Sequence, residues 1–267
     1  MSLFDKEKPV TLLLDTEDGW LPVKAGIDAG TIVHRTINTY SKLEKALDEL
    51  QRGKLDPMPD IIVIDTLSTF FTETRRALPY GRTPGISNDR WTNRTKLLST
   101  QQDWGASADL TIDCLAEYRY LPMPTIFLAH EKLSTDSTTG EKRIGPALSP
   151  MLLEDVRNKS DAIWRMRVID QPKSVEGVKY DKGTRFLRIQ TSEDLFTKIR
   201  VDPRMSASLP DEIVRPTLRR VRDVVTEWFP KRLTVFGPSG AGKTVFGCSL
   251  SLVLPEDNLK PSLQKEK

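Results

Sequence analysis

The chain has 267 residues, 38% of them hydrophobic and 29% charged, which suits one large α/β domain or two small ones and leaves enough apolar residues for a sizeable core. Its 40 Lys and Arg against 37 Asp and Glu give a formal net charge of +3, so overall charge supplies no argument for nucleic-acid binding and any such surface must be local. No apolar run approaches the ~20 residues of a membrane span, Met1-Ser-Leu-Phe-Asp-Lys lacks the apolar stretch of a signal peptide, and neither Cys114 nor Cys248 has a Cys or His at metal-ligand spacing; the expectation is a cytoplasmic protein without a membrane partner, its thiols packed in the core.

In chain order, the first predicted strand is Val10 to Leu14, and it delivers a carboxylate cluster, Asp15-Thr-Glu17-Asp18-Gly19. Glu17 is the candidate base, placed to polarise an attacking water, while Asp15 and Asp18 suit capping and turning the chain at Gly19. Apolar residues at Leu43, Ala46, Leu47 and Leu50 predict a helix over Tyr40 to Leu50. The next strand, Ile61 to Ile64, ends on Asp65-Thr66, which fits either a buried strand handing one carboxylate to a Mg²⁺ ion or an Asp that ends the strand and caps the next segment. Residues 78–90 lack periodicity and predict a long loop, followed by helices over Trp91 to Gln102 and about Ser107 to Arg119.

Thr125 to Ala129 is a third strand, ending on His130, where a polar side chain can sense a γ-phosphate or simply face solvent; His34 has no better claim than that second role. Residues 132–145 predict another polar loop, and both loops follow strand carboxyl ends, where open α/β sheets bind ligands. Further strands are predicted at Ala162 to Val168 and Thr184 to Ile189, and a helix over Asp211 to Trp228, set between Leu209-Pro210 and Phe229-Pro230. The pattern of apolar strands separated by helical segments predicts an α/β fold with a mainly parallel sheet flanked by helices.

The clearest chemical signature lies last. Leu233 to Phe236 predicts a strand, Thr244 to Leu254 a helix, and between them Gly237-Pro238-Ser239-Gly240-Ala241-Gly242-Lys243-Thr244 fits G-x-x-x-x-G-K-[ST] at every position. The glycines allow a tight turn that aims N–H groups at the β- and γ-phosphates, and Val245 continues into the helix whose amino end faces the same anion. Lys243 adds a point charge, and Thr244 offers a hydroxyl to Mg²⁺, for which Asp65 is the partner ligand. The expected cofactors are therefore ATP and Mg²⁺. Residues 255–267 read as a surface tail, so that 1–228, 231–254 and 255–267 form one domain with an unusual order: the phosphate loop follows the strand of Asp65 instead of preceding it.

Assembled, these segments resemble the RecA-like P-loop phage nucleotidases, the group that includes Sak-type single-strand annealing ATPases. Leu12 to Gly19 resembles the strand that carries the family's catalytic Glu, Asp60 to Thr66 its Walker B strand, and Gln101 to Gly105, Phe127 to Glu131, Arg143 to Leu148 and Phe196 to Arg200 resemble later segments. The resemblance implies a RecA-like ATPase circularly permuted, with the Walker A loop moved to the far end and the old termini joined through Phe229-Pro230-Lys231. It implies a homo-oligomer, ring or filament, with Lys198 and Arg200 as candidate trans cations, although alternating charges also suit a half-solvated strand. It implies single-stranded DNA as partner, with a single-strand-binding protein as a further one. DNA would be met by loops carrying Arg75, Arg76, Tyr80, Arg82, Arg90 and Trp91, and Lys132, Lys142 and Arg143, a mixture suited to backbone contact and base stacking. The alternatives are another P-loop motor, such as a helicase loader or packaging ATPase, and a nucleotide-dependent scaffold without turnover.

Overall fold

The computed structural model describes residues 8–77, 101–135, 140, 142–175, 178–190, 194–200, 209–225 and 230–251. Strands form where the aliphatic runs stand: β1 (Thr11–Asp15) and β3 (Ile61–Asp65) bury every residue, as does β12 (Arg232–Gly237) after its first. Continuous apolar runs of this kind belong inside a parallel sheet covered on both faces. With them run β2 (Ile32–Thr36), β4 (Thr125–Thr135), β6 (Ala162–Val168), β9 (Arg185–Arg188) and β11 (Glu212–Val214), in the spatial order β11-β9-β6-β12-β4-β3-β1-β2. β5 (Lys142–Pro146) adds to β4 and β10 (Lys198–Ile199) to β6, while β7 (Lys173–Val175) and β8 (Val178–Tyr180) make a separate hairpin. From β6 through to β2 every pairing is parallel; β9, β10 and β11 are antiparallel additions.

Alternation along the strands divides the core in two. Leu12, Leu14, Ile62, Ile64, Phe127, Ala129 and Phe236 face a layer built by α2 (Tyr40–Gln51), α3 (Leu67–Ala77), α4 (Gln101–Tyr120) and α5 (Pro150–Lys159). Leu13, Ile61, Val63, Ile126, Leu128 and Val235 face the other way, against α1 (Lys24–Asp28), α6 (Leu218–Val225) and α7 (Lys243–Gly247). Each fully buried aliphatic or aromatic side chain contributes about 1.5–3 kcal/mol, so one-residue slips of register are strongly disfavoured. Within the first layer, the Tyr118 hydroxyl donates to Leu43 O at 2.9 Å, and Arg119 reaches Asp155 at 2.6 Å while lying over the Phe127 ring, which fixes α4 against α2, α5 and the sheet.

The expected helix at Tyr40 to Leu50 is α2, capped by the Thr39 side chain, with Leu43, Ala46, Leu47 and Leu50 buried as their spacing required. Four expectations are corrected. The stretch 132–145 is not an open loop: β4 runs on to Thr135 and returns as β5 in antiparallel register, Leu133 opposite Ile144. The helix expected from Asp211 is instead β11 followed by α6, because Pro216 disfavours helical geometry at Arg215, whose φ is +49°. The helix expected over Thr244 to Leu254 is the shorter α7, followed by turns; Gly247, which closes it, lets the backbone lie against Val63, where a Cβ would come within 3.1 Å of Cγ1. Arg75 and Arg76 fall in the last turn of α3 and not in a loop. Residues 78–90 and the helix expected from Trp91 lie outside the described residues, apart from Gln101 and Gln102, which open α4. β2 and α5 had not been expected; α5 begins at Ser149, whose hydroxyl accepts from Leu152 N, with Pro150 at its first position.

Last in sequence among the strands, β12 nevertheless occupies the middle of the sheet, parallel to β4 on one side and β6 on the other. The turn after α7 brings Ser251 to the beginning of β1: its hydroxyl donates to Pro9 O at 2.8 Å and lies 2.6 Å from Thr11 Oγ1, and its carbonyl accepts from Thr31 Oγ1 at 2.5 Å. Among the described residues, no helix is long and apolar enough to cross a membrane.

Candidate functional site

The parallel pairing of four neighbouring strands stops together: β1, β3 and β12 end there, while β4 passes through His130 and runs on to Thr135. In register, Gly237 of β12 pairs with His130 of β4, Asp65 of β3 with Leu128 of β4, and Asp15 of β1 with Asp65. The segments singled out in the sequence thus converge on one edge of the sheet, the carboxyl edge at which open α/β sheets take ligands.

The glycine-rich loop rises from β12 in two left-handed steps, Gly240 at φ +76° and Gly242 at φ +88°. Gly237 is bound by a different constraint: a Cβ there would lie 2.1 Å from Met166 O of β6, so only glycine lets the loop leave the sheet at that point. Ala241 is buried, and Lys243, only 6% exposed, folds its Nζ back to donate to Gly237 O at 3.1 Å and Pro238 O at 3.0 Å. Burial pushes the Lys243 ammonium below its ordinary value, with Asp65 opposing that shift. The loop is therefore a closed ring whose cation is held on its own carbonyls, the interaction that an incoming anion would replace.

Thr244 Oγ1 donates to Asp65 Oδ2 at 2.5 Å, joining residues 179 apart in sequence. Burial raises the Asp65 carboxyl to about 6, and the neighbouring Asp15 carboxylate adds to the rise against the Thr244 hydrogen bond. A buried, reluctantly ionised carboxylate beside a hydroxyl offers hard oxygen donors in want of a cation, and the pair fits Mg²⁺, which takes one or two protein oxygens and fills its shell from phosphate and water. Among the described residues no group of three or more His, Cys, Asp or Glu could hold a metal by itself.

Glu17 stands on the turn after β1. Its Oε1 accepts from His130 Nε2 at 2.6 Å, from Thr66 Oγ1 at 3.0 Å and from Thr69 Oγ1, so the Nε2 of His130 carries a proton. Led by the His130 hydrogen bond, these donors hold the Glu17 carboxyl down at about 2 despite its partial burial. Among the described residues the donors converge on Oε1, which leaves Oε2 as acceptor for a water. The turn itself is pinned by buried Asp15, whose Oδ1 accepts from Glu17 N at 2.9 Å and whose Oδ2 lies 3.2 Å from His34 Nε2. Sequence reasoning missed this use of His34 and of Thr69; nothing but the pairing of β1 with β2 puts His34 beside Asp15.

The remaining candidates lie elsewhere. Lys198 Nζ donates to Ser160 O at 2.9 Å and to Arg157 O, and Arg200 Nη2 donates to Asn158 O, so both cations sit on the carboxyl end of α5. Burial, with Arg200 nearby, lowers the Lys198 ammonium to about 8. Lys132 donates to Leu148 O, while Lys142 and Arg143 are exposed on β5. The side chains of Arg75 and Arg76, and all of Tyr80, Arg82, Arg90 and Trp91, lie outside the described residues. No model of a known protein family matches the chain, and no curated protein matches it.

Proposed function

We propose that the chain is a circularly permuted RecA-like P-loop ATPase that binds ATP with Mg²⁺, hydrolyses it by in-line attack of water, and works as a homo-oligomer on single-stranded DNA in phage-type recombination or annealing. One observation carries the nucleotide reading: the Lys243-Thr244 pair of the glycine-rich loop, Asp65, and the Glu17–His130 pair come from four adjacent strands at one edge of their parallel pairing, although the sequence separates them widely.

Gly240 to Val245 would cradle the phosphates through backbone N–H groups, and Lys243, released from Gly237 O and Pro238 O, would neutralise their charge. Thr244 and Asp65 would hold Mg²⁺, which supplies charge stabilisation to the transferring phosphoryl group. Glu17, held near pKa 2, is a poor proton acceptor at neutral pH; its part is to orient the water through Oε2 and not to remove its proton early. His130 ties that carboxylate to β4, and β4 continues into the hairpin whose return strand bears Lys142 and Arg143. A change at the γ-phosphate would thereby reach the surface assigned to DNA through the Glu17–His130 hydrogen bond and the β4–β5 hairpin. The DNA and oligomer parts rest on the sequence resemblance.

The test is Mg²⁺-dependent ATP hydrolysis with and without single-stranded DNA, beside Lys243→Ala and Glu17→Gln. Turnover stimulated by DNA and lost in both variants is the expected result. Absence of hydrolysis with ATP binding retained would replace this reading with that of a nucleotide-dependent scaffold, and absence of ATP binding would overturn it.

A further inference from the structure

The phosphate loop has two flanks, and the proposed chemistry uses only one. Across the sheet, β4, β3 and β1 lie on one side of β12 and bring His130, Asp65 and Glu17; β6 and then β9 lie on the other. From that second side Arg185, the first residue of β9, reaches the loop. Its Nε donates to Ala241 O at 3.2 Å, and a Cβ on Gly242 would lie 2.4 Å from Nε, 2.9 Å from Cδ and 3.3 Å from Cζ. The guanidinium therefore lies directly against Gly242, and the absence of a side chain there is what admits it. Arg185 is otherwise exposed, and among the described residues Nε alone of its three nitrogens is engaged, which leaves Nη1 and Nη2 to a ligand. Its main chain is fixed from both neighbouring strands, paired with Val168 of β6 and accepting from Arg215 N at 2.7 Å, so the cation is presented from a rigid element.

We propose that Arg185 is a nucleotide-binding residue, a cation of the same chain that contacts the diphosphate of the bound nucleotide from the β9 side of the loop. The inference rests on the proposed nucleotide site. The Mg²⁺ ligands and the water-orienting pair occupy the β4 side, which assigns the terminal phosphate to that side. The nucleoside and the phosphates nearest it then leave the loop toward β6 and β9, where Arg185 is the cation seated on the loop. A guanidinium anchored through Nε keeps two terminal nitrogens for phosphate oxygens, a fork that lysine cannot reproduce.

Equilibrium binding of a fluorescent ADP analogue and of ATP, with Mg²⁺, to the full chain, Arg185→Ala, Arg185→Lys and Lys243→Ala tests this, with the melting temperature of each ligand-free protein as a check on folding. Arg185→Ala should weaken ADP and ATP by the same factor, about tenfold, the loss of one charge-assisted contact. Arg185→Lys should recover part of it, with ligand-free melting unchanged. Unaltered ADP affinity in Arg185→Ala, or a loss confined to ATP, would overturn the proposal while leaving the nucleotide reading intact. A wild-type chain that binds neither ligand would remove both.

Discussion

Replacing Asp65 by Asn separates the cost of the candidate site from its use. Asp65 is 6% exposed, and its carboxyl is raised from the ordinary 3.8 to about 6, chiefly by burial. At 1.36 kcal/mol per tenfold in proton affinity, that climb means that ionised Asp65 destabilises the ligand-free fold by about 3 kcal/mol at neutral pH. Asn keeps an oxygen to accept from Thr244 and removes the repulsion from Asp15, at the expense of an amide that must find a partner, worth about 1 kcal/mol. A net gain of about 2 kcal/mol is expected, roughly 4–8 °C in melting temperature for a chain of this size. The pH dependence has a definite sign. Because the folded pKa lies above the unfolded one, the stability linked to Asp65 protonation is present in full below 3.8 and lost as pH rises through about 6. The advantage of Asp65→Asn should therefore be largest above pH 6 and vanish near pH 4. Thermal melts of both proteins without ligand across this range measure it, and repeating them with Mg²⁺ and ATP should reverse the order, since ligand at 100 times its Kd stabilises by about 2.7 kcal/mol and the Asn variant forfeits that gain. An Asn variant less stable than the parent at pH 7.5, or an advantage indifferent to pH, would refute the reasoning.

The geometry supports three other perturbations. Gly237→Ala forces a Cβ to within 2.1 Å of Met166 O, so β12 and β6 must part; a loss of about 2–3 kcal/mol is expected in urea unfolding, together with weakened ATP binding. Lys198→Ala and Arg200→Ala each remove donors from the carboxyl end of α5 and should lower stability by about 1 kcal/mol while leaving hydrolysis per folded molecule within about threefold. A drop of about 10³ in kcat with unchanged melting would instead make them cations for a neighbouring protomer's nucleotide. Ser251→Ala leaves Thr11 Oγ1 without its 2.6 Å partner and Pro9 O without a donor, so melting should fall by an amount equivalent to about 1–3 kcal/mol while the affinity of the remaining folded protein for ATP stays the same.

The α/β class and most of the buried strands were legible because aliphatic runs and a period of 3.6 are local signals; β1, β3, β6, β12 and α2 stand within a residue or two of their expected bounds. The positions of Asp65 at the end of β3 and of Glu17 just past β1 were legible for the same reason; His130, expected to close a strand, lies inside β4, which runs on to Thr135. What local signals cannot carry is pairing. The β4–β5 hairpin is polar and reads as loop until one strand lies against the other, and Glu212 to Val214 reads as helix until Arg188 to Phe186 offers it an edge. Lys198 and Arg200 alternate as strand charges do, but the end of α5, which they reach, is some forty residues upstream. Arg185 was missed because nothing near it in sequence resembles a phosphate site; its meaning comes from Gly242, 57 positions later, and from the register of β9.

The proposed permutation is compatible with the site's geometry because of where the phosphate-loop segment meets the rest of the fold. Ser251 meets Pro9 and Thr11, and Thr11 is the residue that pairs with Ile32 and Ile61, the amino ends of their strands. Lys231, just before β12, likewise accepts from Thr125 N at the amino end of β4. Both junctions of the phosphate-loop segment with the rest of the fold thus lie on the amino edge of the sheet. Asp15, Asp65, His130 and Gly237 lie on the carboxyl edge, four strand steps or about 13 Å away along β1 at ~3.3 Å per residue. What orients the candidate groups is the register among β12, β4, β3 and β1 and the packing of α7 on Val63 and Leu128, neither of which depends on which amino-edge connection is covalent. Chain order can therefore change while the site keeps its geometry, provided that contacts such as those of Ser251 hold the phosphate-loop segment to β1.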